Sequence, residues 1–278
     1  MPPSSELNRM LKAWRMRLDP NDVAGFTARY GRRWKKGLTQ EELAAVIGVT
    51  PRWYGQLERG ADEAYSDDFL EGVARILKLD EHERHALFKY AKGCEPPGRR
   101  QPDVSSIDPH LAAYVRQHEM PAYISDAAWD LRIYNEAALR QFPWMAYDIN
   151  IMTWVLTHPE ARIQLIDWED AWAKPMAAQL RLAASITHRD NPRLAEVVRE
   201  VRERDEVARR IYDHDVTSYV HPDGSHRRMY LPHHHDREFS VVWLAMAPLR
   251  DQSLRFIVSV PADTEPDGED APLTPHLA

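Results

Sequence analysis

The stretch from Leu38 to Gly60, LTQEELAAVIGVTPRWYGQLERG, leaves the chain few local choices. Thr39 and Glu42 stand three residues apart, the spacing of a reciprocal capping box, so a helix begins there. Leu43, Ala44 and Ile47 give that helix an apolar stripe, and Gly48 permits the tight turn that ends it. Val49 docks inward. Thr50 caps a second helix with Pro51 at its first position, where a missing amide proton costs nothing. Tyr54 and Leu57 supply the buried side of this helix, which leaves Arg52, Trp53, Gly55, Gln56 and Arg59 facing out. Two short helices joined by a glycine-bearing turn form a helix-turn-helix.

The second helix offers a guanidinium and an amide, the groups that pair with guanine and adenine in a major groove. A packing hairpin with a merely solvated outer face is the plainer alternative. A Trp between Arg and Gln is an unusual choice for inert surface, and favours recognition. Arg29, Arg32, Arg33, Lys35 and Lys36 lie immediately ahead of the motif, placed to neutralise phosphates. The charge balance follows the same division. Residues 1–100 hold 18 basic and 15 acidic side chains, a net of +3, and the remainder holds 18 and 28, a net of −10.

A chain of 278 residues is long enough for about two domains. Cys94 is the only cysteine, which excludes an intrachain disulfide and a cysteine-based zinc site and suits a reducing cytoplasm. The first residues carry charges where a signal peptide needs an apolar core. The longest apolar run, Val241 to Ala247, is too short to span a bilayer, so a soluble cytoplasmic protein is expected.

Leu7, Met10, Leu11, Trp14 and Leu18 recur at helical spacing, and Asp19-Pro20 ends that helix. A short helix is predicted around Asn21 to Arg29, with Val23 and Phe26 inward. Ser66 caps a helix carrying Phe69, Leu70, Val73, Ile76 and Leu77, and Asp80 caps another whose inner face is Leu87, Phe88 and Tyr90. An all-α domain therefore covers residues 1–93. CEPPGRRQPDVSS (94–106), rich in proline and without apolar period, is the linker.

These residues resemble the Xre/Cro-type helix-turn-helix, and more narrowly the regulators that join it to an MmyB-like ligand-binding domain. RLDPNDV (17–23), GRRWKKGLTQEELA (31–44), GVTPRWYGQLERG (48–60) and LEGVARILKLDEHERHALFKYA (70–91) carry the likeness. The resemblance implies phosphate contacts from Gln40 and Thr50 and base contacts from Arg52 and Gln56, with Pro51 and Gly55 lining the same face. Pro51 and Gly55 depart from the family pattern in bringing no side-chain donor.

The second half is similar to the same family. PAYISDAAWDLRIYNEAALRQF (121–142) reads as strand, turn, strand and helix, with Asn135 as cap, an opening similar to PAS-like folds. Helical stretches follow at 149–186, 190–202 and 209–216, then strands near 227–230, 239–247 and 255–260. Asp167-Trp168, Asn191 to Leu194 and Asp215-Val216 match family landmarks. The implied architecture is α+β: the helical domain, then a PAS-like sensor over 107–260 with an apolar cavity that takes a fatty-acid-like effector. Trp154, Trp168, Trp172, Met176 and Leu180 on consecutive helical turns, with Trp243 in a strand, are its expected lining. These residues equally suit a filled core. Arg162, Arg181 and Tyr212 are candidate anchors for a polar head.

His221, His226, His233, His234 and His235 are the densest group of candidate metal ligands. Contiguous histidines do not converge, and neither an HExxH nor a spaced carboxylate accompanies them, so no metal site is expected. Asp167, Glu169 and Asp170 read as surface charges and a helix cap. No phosphate loop or nucleophile elbow is present, and no catalysis is expected. The acidic, proline-rich tail, 261–278, is expected to be disordered. The sequence thus predicts a homodimeric transcriptional regulator that binds double-stranded DNA and a small lipophilic ligand, with no cofactor and no membrane contact. The rival readings are a small-molecule-binding protein whose helix-turn-helix contacts other proteins, and a metal-dependent enzyme built on the histidine loop.

Overall fold

The computed structural model describes residues 3–61, 63–98, 107–147, 149–187, 191–215 and 224–262. Most of the expected linker, most of the expected disordered tail and His221 lie outside the described residues.

Helix α1 (Pro3–Arg17) is followed by a 3-10 turn at Pro20–Asp22, capped by Asp19, and by α2 (Phe26–Tyr30). The helix predicted at Asn21 to Arg29 is thus interrupted, because Gly25 takes a left-handed conformation (φ 75°) between the two pieces. Helices α3 (Gln40–Ile47) and α4 (Pro51–Glu58) form the helix-turn-helix. Both arms of the α3 capping box are present: Glu42 N donates to Thr39 Oγ1 at 3.2 Å, and Thr39 N to Glu42 Oε2 at 2.8 Å. Gly48 ends α3 at φ 88°, and Thr50 caps α4 through Trp53 N at 3.2 Å. Helices α5 (Asp67–Ile76) and α6 (Glu81–Lys92) start at Ser66 and Asp80, as their caps predict.

Leu11, Phe26, Leu43, Tyr54, Leu57, Leu70, Leu87 and Phe88 are fully excluded from solvent in this domain's core. Two side chains fall differently from the helical reading. Val46 is fully buried while Ile47 is half-buried, and Tyr90 is 43% exposed on the outer side of α6. A spacing of 3.6 residues leaves the edges of a short stripe ambiguous, and the neighbouring helices decide which side is covered.

The second domain holds one antiparallel sheet in the order β2-β1-β5-β4-β3, from β1 (Ala122–Ser125), β2 (Leu131–Tyr134), β3 (Ser225–Tyr230), β4 (Glu238–Met246) and β5 (Arg255–Pro261). Ile124, Ile133, Phe256 and Val258 share one face, covered by α7 (Pro109–Gln117) through Ala112 and Val115. The alternate residues, Tyr123, Ile257, Trp243 and Met229, face a helical layer. That layer comprises α8 (Glu136–Gln141), α9 (Ile151–Thr157), α10 (Pro159–Gln164), α11 (Lys174–Thr187), α12 (Pro192–Arg204) and α13 (Glu206–His214).

The stretch 149–186 is not one helical run. His158 is extended, Pro159 opens a new helix, and Asp167 is left-handed (φ 53°) before a π-helical turn at Trp168–Ala173. Trp154 therefore reaches the core from a different helix than Trp172. Asp167 does not cap the turn with its side chain; it pairs with Arg228 at 2.6 Å.

Helix α10 joins the two domains. Ile163, 6% exposed, belongs to the core of the helix-turn-helix domain. Two left-handed glycines make room for this helix. A Cβ on Gly25 would come 2.3 Å from the Ile163 carbonyl oxygen, and one on Gly48 would come 2.3 Å from Pro159 Cγ. Both glycines serve backbone geometry and close approach together.

Candidate functional site

The reading helix α4 rests on a buried ion pair. Arg15 Nε and Nη2 donate to Glu58 Oε2 and Oε1 at 3.0 and 2.9 Å, and Arg15 Nη1 reaches the Leu38 carbonyl at 2.5 Å. Burial pushes the Glu58 carboxyl up, but hydrogen bonds from Arg15 and Gln40 outweigh it and hold the group below its ordinary value. Gln40 is thereby tied to α4. The fork-like pairing locks the far end of α4 onto α1, and removing either partner strands a buried charge, a loss of about 3–5 kcal/mol.

On the outer side, Pro51, Arg52 and Arg59 are exposed, as is the cap Thr50. Gln56 is half-buried and donates to Glu63 Oε1 at 3.0 Å. Trp53 does not stand free: its ring lies 5.3 Å from Tyr65 and 6.0 Å from Phe69, so it doubles as packing. Gly55 is buried beneath Gln40 and Arg59; an added Cβ would meet Arg59 Nη1 at 3.1 Å. Ahead of the motif, Arg32, Lys35 and Lys36 are exposed, and Arg32 lies 5.3 Å over the ring of Trp34, itself 89% exposed. Arg33 is half-buried and ion-paired with Glu42.

The second domain holds an aromatic cavity of about 60 Å³. Trp154, Trp172, Met176 and Trp243, four of the six expected residues, line it. Leu180 is buried in the surrounding core instead, and Trp168 packs outside, donating to the Val155 carbonyl at 2.7 Å with Arg162 4.4 Å over its ring. Trp144 stacks on Trp154 at 4.6 Å and 16°, and Trp172 meets Trp243 edge-on at 6.1 Å. None of the expected anchors lines the cavity. Arg162 pairs with Asp205 at 2.6 Å, and Arg181 donates to the Ile211 and Tyr212 carbonyls at 3.1 Å.

The charged groups of the lining are Arg227 and Arg255, which sequence reading passed over. Arg227 lies 4.8 Å over Trp172, and Arg255 lies 4.0 Å over Trp129 and donates to the Asp126 carbonyl at 2.5 Å. Burial lowers Arg255 from its ordinary value and raises the Tyr123 phenol, which stays protonated. The signal available in the sequence was alternation. Arg255, Ile257 and Ser259 share one side of β5, so an arginine stands on the side that faces the core.

The cavity wall is connected to the helix-turn-helix domain. Trp154 Nε1 donates to Glu160 Oε1 at 2.6 Å, and Arg75 Nε of α5 lies 3.1 Å from the same oxygen. Arg204 and Asp68 pair across the domains at 3.3 Å. The histidine loop also closes on the first domain. His233 N donates to the Asn21 carbonyl at 2.8 Å, His233 Nε2 lies 3.3 Å from Asp22 Oδ1, and His235 Nδ1 lies 2.7 Å from Asn21 Oδ1. Among the described residues, no three His, Cys, Asp or Glu side chains are grouped to hold a metal ion, and no helix is long and apolar enough to cross a membrane.

No curated protein matches the chain significantly. A helix-turn-helix domain model matches residues 6–87, and the model of the MmyB-like transcription regulator ligand binding domain matches residues 107–269. These are domains of a DNA-binding transcription regulator with a ligand-sensing part, and not those of an enzyme family. The chain belongs to the MmyB-like transcription regulators, with its helix-turn-helix ahead of the family's ligand-binding domain.

Proposed function

We propose that the chain reads a specific operator through α4 and that a small lipophilic molecule in the aromatic cavity sets its operator affinity. The observation that carries this reading is α10. One end of the helix bonds the cavity wall through Trp154 and Glu160, and Ile163 on the same helix sits in the core of the DNA-binding domain. A ligand that moves Trp154 has a short mechanical route to α5 and to the turn glycine of the motif. Such coupling requires the ligand to favour one arrangement of the two domains, since equal affinity for both shifts nothing.

Arg52 and Gln56 are the base readers in this proposal, Gln56 exchanging Glu63 for a base edge, with Pro51, Trp53, Gly55 and Arg59 along the same helix. Gln40, Thr50, Arg32, Arg33, Lys35 and Lys36 hold phosphates. The strand order β2-β1-β5-β4-β3, with helices between β2 and β3, supports a PAS-like sensor. The protein acts in the cytoplasm as a homodimer, because one recognition helix spans too few base pairs for useful specificity. The test is to sequence fragments of its own genome that the protein captures, then titrate one with and without compounds extracted from purified protein. Binding that ignores both sequence and salt would favour a protein-contacting role for the motif.

A further inference from the structure

We infer that Trp34 is a DNA contact: its indole packs on deoxyribose edges of the strand beside the groove that α4 reads, among phosphates held by Arg32, Lys35 and Lys36. This rests on the reading that the first domain binds DNA, and it adds an uncharged contact on the flank of the operator.

The loop that carries Trp34 is fastened on both sides of the ring. Ahead of it, Gly31 N donates to the Thr27 carbonyl at 2.8 Å, and the Arg33 guanidinium pairs with Glu42 of α3 and lies 5.8 Å over the Phe26 ring. Behind it, Gly37 N donates to the Leu18 carbonyl at 2.7 Å, and Leu38, 2% exposed, is sunk in the core. The tip between these anchors is therefore presented at a fixed place. Trp34 is 89% exposed there, in a domain that buries Phe26, Tyr54 and Phe88 completely. Arg32 covers the ring from 5.3 Å and leaves most of it bare. Arg32, Lys35 and Lys36 are exposed as well, and among the described residues no carboxylate pairs with any of them. A fixed tip of three cations around an indole, without an acid, is complementary to a polyanion that also offers apolar edges.

Position selects DNA as that polyanion. The loop runs directly into Thr39, the cap of α3, and Gln40, the first residue of α3, bonds Glu58 of α4. The start of α3 is thus tied to the reading helix, and the loop moves with both. In a helix-turn-helix the second helix lies in the major groove while the first crosses the DNA backbone. Residues immediately ahead of the first helix then lie over the strand that borders the groove. Lysine and arginine there meet phosphates. An indole carries no charge, and its broad apolar face matches the sugar edges between them.

Hydroxyl-radical footprinting reads the exposure of each deoxyribose directly. On a captured operator duplex, the full-length protein should protect sugars flanking its major-groove contacts, and Trp34→Ala should lose that flanking protection while keeping the rest. Trp34→Ala should bind operator and random DNA alike about tenfold more weakly. Its salt slope should not change, because no cation has been removed. Trp34→Phe, which keeps an apolar ring, should stay within about threefold of the parent. Both variants should keep the parent's melting temperature, since the side chain is exposed. Unchanged affinity and footprint in Trp34→Ala overturn the inference. A salt slope that falls together with affinity also overturns it, and would leave the ring as a support for Arg32. Loss of a dimer in sedimentation of Trp34→Ala overturns it as well, and would assign the ring to a second copy of the chain. In each of these cases operator binding by the parent leaves the DNA-reading role of α4 standing. A parent that binds no DNA removes both.

Discussion

Trp154 Nε1 and Arg75 Nε approach one and the same oxygen, Glu160 Oε1, at 2.6 and 3.1 Å. The first group belongs to the cavity wall and the second to the helix-turn-helix domain, so a single carboxylate spans the boundary. Trp154 is 1% exposed and stacked on Trp144, and Arg75 and Glu160 are themselves mostly covered. A contact so well shielded responds strongly to displacement, because water does not replace the lost partners cheaply.

Glu160→Gln keeps the shape and an acceptor for Trp154 but removes the charge facing Arg75. The variant should lose about 1.5–3 kcal/mol of stability. Its operator affinity without ligand should change little, while the shift produced by cavity ligand should shrink below about twofold from a normal range of roughly 5- to 150-fold. Operator titrations with and without ligand, beside calorimetry of ligand binding itself, check this. Full coupling in the variant would show that the signal travels elsewhere.

On the DNA side, Arg52→Ala should cost roughly 1–3 kcal/mol on operator and relax preference at one base position. Lys35→Ala should weaken operator and random DNA alike and lower the salt slope by about one unit. Binding isotherms at several salt concentrations separate these outcomes. An unchanged operator-to-random ratio in Arg52→Ala would remove it from the base readers.

His158 supplies a pH dependence at the same boundary. It precedes α10 with Nδ1 3.2 Å from the Thr153 carbonyl and 3.3 Å from Thr157 Oγ1, and Arg75 and Arg204 press on it electrostatically. Burial and then Arg75 push its value well below the ordinary 6.5. The folded state therefore holds the ring neutral while the unfolded chain takes up a proton. Stability should be fully present above pH 6.5 and fall as pH drops below it, by at most about 1.4 kcal/mol per pH unit from this group. His158→Gln should flatten that part of the stability–pH curve in denaturant titrations. An unaltered curve would assign the effect to other groups.

The histidine loop should behave as an interdomain contact rather than a metal site. Replacing His233, His234 and His235 together by Gln removes the bonds to Asn21 and Asp22 made by the side chains. It leaves residues other than glycine at two left-handed positions, φ 65° and 54°. The melting temperature should fall by about 2–4 °C, the effect of roughly 1 kcal/mol in a chain of this size. The fall should be the same with and without chelator. A chelator-sensitive parent and an insensitive variant would instead reveal bound metal.

Much of the first domain was legible because its signals are local. A Thr-x-x-Glu box, a Pro behind a Thr and a Gly after an apolar stripe each act within one helical turn, so α3, α4 and their caps fall where the residues put them. The strand–strand–helix opening at 121–142 was legible for the same reason. Long-range choices were not. Trp53 and Gly55 read as outward-facing on a helical wheel, yet Tyr65 and Phe69 cover Trp53, and Gln40 of α3, with the Arg59 side chain one turn further on, covers Gly55. Trp154 and Trp172 come together only because the chain breaks at His158–Pro159 and again at Asp167. The two cavity arginines arrive from strands β3 and β5, 28 residues apart in sequence, through pairings with β4. By itself the sequence determined the capped helices of the first domain, the strand–strand–helix opening of the second, and the kind of protein this is. Tertiary packing decided which aromatic rings face a void, which arginines accompany them, and that α10 belongs to both cores, because each depends on what a distant element leaves uncovered.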